Sequence, residues 1–215
     1  MLPIGDDNST RKATPIITYL LILLNIFVFI LELIYGEEFI LKWAFIPSHF
    51  IKDPVSNFPN LLTSMFMHAG WGHLIGNMLY LWIFGDNVED RLGKIKYLIF
   101  YLICGTAATF AQLIFHSNSS IPNLGASGAI AGVLGAYLIL FPQGKVYVLV
   151  GQHLTEMSAL IVIGFWFVLQ FFSQIASPET SGSEGDTGGV AYMAHIGGFI
   201  AGMIMTYFIK ATEKK

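Results

Sequence analysis

The sequence predicts an all-α, polytopic membrane protein with six transmembrane helices and both termini in the cytoplasm. Three observations support this prediction. Hydrophobic residues make up 54% of the 215 residues and charged residues only 12%, whereas a soluble domain carries about 25% charged residues. Six apolar runs have roughly the 20 residues that a membrane-spanning helix needs. The lysine and arginine residues fall mostly on one side of these runs, which gives the orientation.

The predicted spans are apolar runs bounded by Gly, Pro or charged residues. They cover residues 16–35, 71–88, 95–115, 127–141, 157–176 and 190–209. The first run follows Arg11 and Lys12, as the apolar part of a signal peptide would. It is too long for a signal peptide and no small-residue cleavage site follows it, so we expect it to be retained as a span.

The positive charges lie mainly on the side of the membrane that carries both termini. Lys42 and Lys52 lie on the opposite side, in a long first loop. The other nine of the eleven lysines and arginines share the side of the termini: Arg11, Lys12, Arg91, Lys94, Lys96, Lys145, Lys210, Lys214 and Lys215. By the positive-inside rule this side is the cytoplasm. We therefore expect a short cytoplasmic segment (1–15), a six-span domain (16–210) and a cytoplasmic tail (211–215).

Composition also excludes several classes of function. A formal net charge of −3 without a block of basic residues removes the electrostatic basis of nucleic-acid binding. Cys104 is the single cysteine, so neither an intrachain disulfide nor a thiolate metal cluster can form. His68 and His73 are five residues apart, a spacing that misaligns two side chains on a helix, and the H-E-x-x-H pattern is absent. We therefore expect neither a metal nor another cofactor.

Polar side chains inside the spans are the first candidates for function, because they are costly to bury in a bilayer. Ser127 begins span 4 and His195 lies in span 6. At about 1.5 Å per residue, the run from Ser127 to Phe141 covers about 21 Å, so Ser127 lies below the outer surface of a core about 30 Å thick. Counted from Val190, His195 lies roughly 8 Å below that surface. The two side chains are thus predicted at similar depths.

Small residues are predicted to bring these two spans together. His195, Gly198 and Gly202 share one stripe of span 6, and span 4 has its own stripe at Gly128 and Gly132. G-x-x-x-G patterns let helix backbones approach each other closely. The stripes therefore predict a helix packing that brings the serine within hydrogen-bonding distance of the histidine.

A third polar group completes a possible anion site. His73 and Asn77 are four residues apart on span 2 and project from one face. Together with the backbone N–H of Ser127, at a helix N-terminus, they could donate hydrogen bonds to an oxyanion. Plainer interpretations stay open: the serine can be a packing residue, the histidine a structural one, and the glycines a simple packing signal. The agreement in residue type, depth and face favours a catalytic site.

Four sequence motifs resemble those of the rhomboid intramembrane serine proteases. They are G-A-S-G at 125–128, H-A-G-W-G-H-L-I-G-N at 68–77, A-H-I-G-G at 194–198 followed by Gly202, and F-G-D-N-V-E-D-R-L-G at 84–93. Each motif alone is a weak signal, but their order and their positions along the six spans are specific. The resemblance covers about residues 16 to 210.

The resemblance implies a rhomboid-like bundle with Ser127 as nucleophile and His195 as general base. His73, Asn77 and the Ser127 amide would form the oxyanion hole. The implied reaction is hydrolysis of transmembrane helices of other proteins near their outer ends, so the partners are membrane-protein substrates and the lipid bilayer. The minimal six-span form indicates a multi-pass protein of a prokaryotic plasma membrane. No oligomeric state is implied.

Two positions depart from the family pattern. Many members carry a Trp-Arg pair in the first loop, where this chain has Lys42 and Trp43. Some members place an aromatic residue one turn after the serine, and the histidine can rest against it. This chain has Ala131 at that position. The sequence therefore leaves open what orients His195.

Hydrolysis also requires water, and the substrate must enter from the lipid. Polar runs at 116–120 and 177–189 flank the site on the outer side, and the second is predicted to be a mobile Gly/Ser-rich loop. Span 5 carries an aromatic band that either gates lateral entry or simply faces lipid. The band consists of Phe165, Trp166, Phe167, Phe171 and Phe172.

Two other functions are alternatives to a protease. A catalytically inactive rhomboid-like protein that binds transmembrane clients would be expected to have lost a member of the dyad, and both members are present. A proton-coupled transporter using His73 and His195 would need paired broken helices and intramembrane carboxylates. Glu32 is the candidate for such a carboxylate, but it lies near the outer end of span 1, where it can reach the interface.

Overall fold

The apolar runs of the sequence form the long helices of the fold. A computed structural model describes residues 2–9, 11–176 and 192–213, with the backbone alone for 169–176 and 213. The loop predicted at 177–189 lies outside the described residues, as do the side chains of Phe171 and Phe172. The described residues form the following elements: β1 Leu2–Asp6, α1 Ile16–Trp43, α2 Pro47–Lys52, α3 Asn60–Thr63, α4 Trp71–Leu92, α5 Lys94–Phe115, α6 Ser127–Leu140, β2 Lys145–Val150, β3 His153–Ser158, α7 Ala159–Ala176 and α8 Tyr192–Glu213.

The predicted membrane character is visible in the helices themselves. Among the described residues, α1, α5 and the Tyr192–Thr212 part of α8 are long and apolar enough to cross a membrane, by length and composition. The helix α6 and residues Ala159–Val168 of α7 are shorter apolar helices. The chain is thus mostly helical, as predicted. The helix α1 has a kink at Gly36, which has φ 66° and ψ −152°. It does not end there, and so it continues past residue 35, the predicted end of span 1.

The helix α6 lies at the centre of the bundle. Every residue from Gly128 to Tyr137 is buried, and the helix packs chiefly against α8 and α5. A helix that is apolar on all sides is expected in the interior. Because α6 begins at Ser127, its first residue is held inside the protein at one end of this central helix.

A small antiparallel sheet corrects the prediction of an all-α chain. The strands are arranged in the order β1-β2-β3, with Val146 opposite Asp6 on one side and opposite Met157 on the other. Val146 and Val148 are buried while Lys145 and Tyr147 are exposed, which is the period-two alternation of a half-buried strand. The sheet also moves the start of the fifth apolar helix from the predicted residue 157 to Ala159.

The acidic end of α4 holds the N-terminal segment. Arg11 forms an ion pair with Asp86. The Glu89 carboxylate accepts the backbone N–H groups of Ile17 and Thr18, at 3.0 and 2.7 Å. These are free donors of the first turn of α1, and a carboxylate is stabilised at a helix N-terminus. Much of the acidic segment 84–93 therefore serves to fix the start of α1.

The long first loop folds back onto the other end of the bundle. Phe45 is buried, and it exchanges two backbone hydrogen bonds with Asn123, at 3.0 and 2.7 Å. The side chain of Asn60 donates to the carbonyl of Ala44 at 2.8 Å, and Thr63 donates to the carbonyl of Trp43 at 2.7 Å. The loop is therefore fastened to the stretch that leads into α6.

Candidate active site

The chain enters α6 through a tight backbone turn at Gly125. This glycine has φ +135°, a conformation that side-chain-bearing residues rarely adopt. Its N–H donates to the carbonyl of Ser64 at 2.9 Å. A Cβ at this position would lie 3.0 Å from Nε2 of His73 and 3.4 Å from Oγ of Ser127. Gly125 therefore lies between the ring of His73 and the hydroxyl of Ser127.

The structure brings Ser127 and His195 into direct contact. The Nε2 atom of His195 lies 2.6 Å from Oγ of Ser127, although the two residues are 68 positions apart. His195 lies in the first turn of α8 and is 5% exposed. At this distance a neutral imidazole accepts the hydroxyl proton of serine in a short hydrogen bond. The pair has the geometry of a nucleophile and its general base.

Glycines make this approach possible. A Cβ on Gly198 would collide with the carbonyl oxygen of Gly128, and one on Gly202 would collide with the backbone of Gly132. On the other side of α6, a Cβ on Gly132 would lie 2.5 Å from Cβ of Cys104. The backbones of α6 and α8 are therefore in contact at two successive turns, as glycine-mediated packing in membranes allows.

Two aromatic rings flank the imidazole of His195. The ring of Trp166, on α7, lies 5.6 Å from it between centroids at an interplanar angle of 40°. The ring of Tyr192, one turn before the histidine, lies 6.3 Å from it, edge to face. Ala131 is completely buried, so the space beside the dyad on α6 is filled by a methyl group. The aromatic neighbour that α6 lacks is supplied by α7.

This role of Trp166 could not be predicted from the sequence. The sequence places Trp166 in an aromatic band of span 5, where a lipid-facing position was an equal alternative. Its contact with His195 joins residues 29 positions apart, and the loop between them carries no signal for it. The ring also packs against Tyr80 of α4, with centroids 6.1 Å apart.

A hydrogen bond from the backbone sets the tautomer of His73. The backbone N–H of Ala69 points at Nδ1 of His73 across 3.4 Å, a long hydrogen bond in which Nδ1 is the acceptor. The proton of the neutral ring is then on Nε2. Nε2 is also the ring nitrogen that lies beside Gly125.

Asn77 lies one turn further along α4. It is 8% exposed, and its amide Nδ2 is buried without a hydrogen-bond partner among the described residues. A buried amide donor is rarely left unpaired in a protein. Asn77 therefore has a donor available for a group that binds at the site.

Glu32 supports the loop that carries the two histidines. Both oxygens of its buried carboxylate accept the backbone N–H of His68, at 3.1 Å each. The rings of His68 and His73 pack edge to face at 5.2 Å. The two rings can meet although their spacing misaligns side chains on one helix, because His68 precedes α4, which begins at Trp71. No group of three His, Cys, Asp or Glu residues in the described part of the chain could hold a metal ion.

A small cavity lies beside the serine. Its volume is about 30 Å³, and Ser127, Gln112 and Asn123 are among the residues that line it. The Oε1 atom of Gln112 is buried and has no partner among the described residues. A cavity of this size and polarity is large enough for a water molecule.

Comparisons with known proteins agree with the motifs of the sequence. The family model of the Rhomboid domain matches residues 56–212. Rhomboid protein 1, mitochondrial, of Saccharomyces cerevisiae is 31% identical over 180 residues, which are 80% of this chain and 49% of the yeast protein. Rhomboid protease GluP of Bacillus subtilis is 31% identical over 196 residues, 89% of this chain and 34% of that protein.

A third relative matches most of the chain. Rhomboid protease GlpG of Salmonella paratyphi A is 26% identical over 211 residues, 95% of this chain and 67% of that protein. This chain thus spans about half or less of the length of the yeast and Bacillus relatives.

Proposed function

This chain belongs to the rhomboid family, and we propose that it is an intramembrane serine endopeptidase. Its Ser127–His195 dyad would hydrolyse peptide bonds in or near the transmembrane helices of other membrane proteins. The observation that carries the proposal is the 2.6 Å contact between Nε2 of His195 and Oγ of Ser127. Two relatives with rhomboid protease in their names, GluP and GlpG, support it.

The proposal includes an arrangement in the membrane. Helices α1, α4, α5, α6, α7 and α8 form six spans, with both termini in the cytoplasm. The segment 1–15 and the tail 211–215 then lie on the cytoplasmic side of a domain at 16–210. The positive-inside distribution of charge supports this orientation. We propose the plasma membrane of a prokaryote as the location; GluP and GlpG are bacterial, whereas the yeast relative is mitochondrial.

The proposed reaction begins with attack by the serine. Oγ of Ser127 forms a bond to the carbonyl carbon of the substrate while its proton moves to Nε2 of His195. The carbonyl electron pair moves to oxygen and gives an oxyanion. When this tetrahedral intermediate collapses, the C–N bond breaks and the imidazolium of His195 donates its proton to the leaving amine. The acyl group stays on Ser127.

Three donors stabilise the oxyanion in this proposal. They are the Nε2–H of His73, the amide Nδ2 of Asn77 and the backbone N–H of Ser127. The tautomer of His73 set by Ala69 and the unpaired amide of Asn77 support this assignment. Donors that are already oriented cost no reorganisation when the charge develops.

Water then releases the acyl group. A water molecule from the cavity lined by Ser127 and Gln112 would donate its proton to Nε2 of His195 as its oxygen attacks the ester carbonyl. The second tetrahedral intermediate collapses, the bond to Oγ breaks, and the proton returns to Oγ. The products are a new carboxylate, an amine and the free dyad.

We expect the removal of Asn77 to slow the reaction without preventing substrate binding. Asn77→Ala should lower kcat by roughly 10- to 1000-fold, because it deletes one oxyanion donor while others remain. The measurement is kcat and KM for a single-span substrate in proteoliposomes, with Gln152→Ala, an exposed amide in the turn between β2 and β3, as the control. If Asn77→Ala has the kcat of Gln152→Ala, the amide only ties α4 to its neighbours.

Trp166 is expected to act by positioning His195. Trp166→Ala should lower kcat by about 10- to 100-fold with little change in KM, because loss of the flanking ring lets the imidazole leave the reacting geometry. Trp166→Phe keeps an aromatic face and should retain most of the activity. Phe165→Ala, on the same helix and 45% exposed, is the matched control. Equal kcat values for Trp166→Ala and Phe165→Ala would show that the ring does not orient the dyad.

The proposed function is tested by cleavage of defined substrates. The purified chain is reconstituted in liposomes with a set of single-span proteins, and the products are identified by mass spectrometry. We expect product masses that place the cut within a transmembrane helix or next to its outer end. If every substrate stays intact while the protein is folded, or if cleavage occurs only in soluble segments, the proposal is wrong.

A further inference from the structure

An apolar groove runs between α1 and α4. Its volume is about 720 Å³, and it is lined by apolar and aromatic side chains. They include Leu23, Ile26, Ile75, Tyr19 and Trp82. Because both helices belong to the proposed spans, the groove would open to the hydrocarbon of the bilayer. An acyl chain has the chemistry to fill such a groove.

A polar cavity continues the groove at the end where α1 begins. The cavity has a volume of about 140 Å³ and is lined by Asp6, Arg11 and Asp86 among others. Tyr19 and Trp82 line both the groove and the cavity. Tyrosine and tryptophan are characteristic of the depth at which acyl chains meet headgroups. The lining therefore changes from apolar to polar at these two rings, as a phospholipid changes from acyl chain to headgroup.

The charges in the cavity are unbalanced. Arg11 pairs with Asp86, and its guanidinium has donors beyond the one this pair uses. The Asp6 carboxylate is 6% exposed and accepts hydrogen bonds from Asn8, Asn87 and Tyr137. It forms no ion pair with any residue that the structure describes. Burial raises the pKa of Asp6 to about 7, as expected for a carboxyl without a cation beside it.

We propose that the groove and cavity together bind one phospholipid with an ethanolamine headgroup. The acyl chains lie between α1 and α4, the phosphate accepts hydrogen bonds from Arg11, and the primary ammonium donates to Asp6. The ammonium would supply the missing positive charge. A choline headgroup is also cationic but has no N–H to donate, and a glycerol headgroup has no cation. Ethanolamine is thus the headgroup that matches both the carboxylate and the guanidinium.

The proposal is tested by lipid retention. The full chain is reconstituted in vesicles of equal parts phosphatidylethanolamine, phosphatidylcholine and phosphatidylglycerol, then extracted in mild detergent. Native mass spectrometry counts the lipids that stay bound. We expect about a 10-fold preference for phosphatidylethanolamine over either other lipid, because one hydrogen bond between charged groups changes a binding constant by about this factor. Equal retention of the three lipids, or a preference for phosphatidylglycerol, overturns the proposal.

Matched variants locate the bound lipid. Asp6→Asn should remove the headgroup preference, whereas Asp7→Asn, its exposed neighbour, should keep it. Leu23→Trp fills the groove and should reduce retention of all three lipids, whereas Leu24→Trp, at an exposed leucine that does not line the groove, should not. If Asp6→Asn keeps the preference, or Leu23→Trp retains lipid as Leu24→Trp does, the lipid is bound elsewhere.

The inference rests on the proposed membrane embedding and not on the dyad. Ser127→Ala should therefore retain phosphatidylethanolamine like the wild-type chain even where it no longer cleaves substrate. Loss of the lipid preference in Ser127→Ala would overturn the assignment to a separate site. An active wild-type enzyme without headgroup preference would refute the lipid site and leave the proposed function intact.

Discussion

Replacement of Ser127 or His195 by alanine is expected to abolish peptide-bond cleavage and to leave the protein folded. The reason is the proposed role of the pair: Oγ would form the bond to substrate, and Nε2, 2.6 Å away, would accept its proton. Loss of either member of such a unit lowers kcat by roughly 10⁴- to 10⁶-fold. The double variant should be no slower than either single variant, because the two residues act together.

The measurement is the initial rate of cleavage of one transmembrane substrate in proteoliposomes, with thermal unfolding as the check on folding. Ser9→Ala and His153→Ala, both at exposed positions outside the segments that flank the dyad, are the matched controls and should cleave at the wild-type rate. A His195→Ala variant that turns over substrate at nearly the wild-type rate would show that the histidine is not the base.

The second large effect is expected from added bulk between α6 and α8. A Cβ on Gly202 would lie 2.5 Å from Cα of Gly132, and backbone atoms cannot move aside as a flexible side chain can. Gly202→Val, and likewise Gly198→Val, should therefore push α8 away from α6. A displacement of about 1 Å at the reacting pair lowers the rate on the order of 100-fold.

Two controls separate bulk from other effects of these changes. Gly164→Val introduces the same side chain on α7, where a Cβ meets no atom within 4 Å. Ile200→Val trims one methylene on the exposed face of α8, where Ile200 is 48% exposed. Both should retain near wild-type cleavage. If Gly202→Val is as active as Gly164→Val, the two helices do not meet along the glycine stripe.

Local sequence signals were sufficient to predict the positions of the long helices, but not the short helices α2 and α3. Apolar runs, with Gly and Pro at their ends, predict where the long helices lie. The small residues of spans 4 and 6 were enough to expect a close approach of Ser127 and His195, because only glycine and alanine leave room for it. The prediction that the two residues lie at similar depths came from counting at about 1.5 Å per residue, because a helix has a fixed rise.

The sheet could not be predicted in the same way. Its strands bring Leu2–Asp6 against Lys145–Val150, and nothing local to either segment identifies the other. Alternation along β2 is a signal for a strand, but the segment has only six residues. So short a segment between two predicted spans can equally be interpreted as a simple connection. A strand on its own leaves its backbone N–H and C=O groups unpaired along both edges. These groups are paired only once all three strands are assembled.

The surroundings of the dyad also depend on tertiary contacts. The ring of Trp166 reaches His195 from α7, and the Glu32 carboxylate reaches the backbone of His68 from α1. In the sequence, the tryptophan is one aromatic residue among several, and the glutamate is a carboxylate near the end of a span. Their roles come from the packing of helices that are distant in the chain.

The most direct measurement of the central claim uses a fluorophosphonate probe, which reacts covalently with activated serines. The detergent-solubilised protein is labelled, digested, and the modified peptide identified by mass spectrometry. We predict label on Ser127 in the wild-type chain, strongly reduced label in His195→Ala, and none in Ser127→Ala. A folded wild-type protein that takes up no label on Ser127, or a His195→Ala variant labelled as fast as wild type, would contradict a Ser127–His195 dyad.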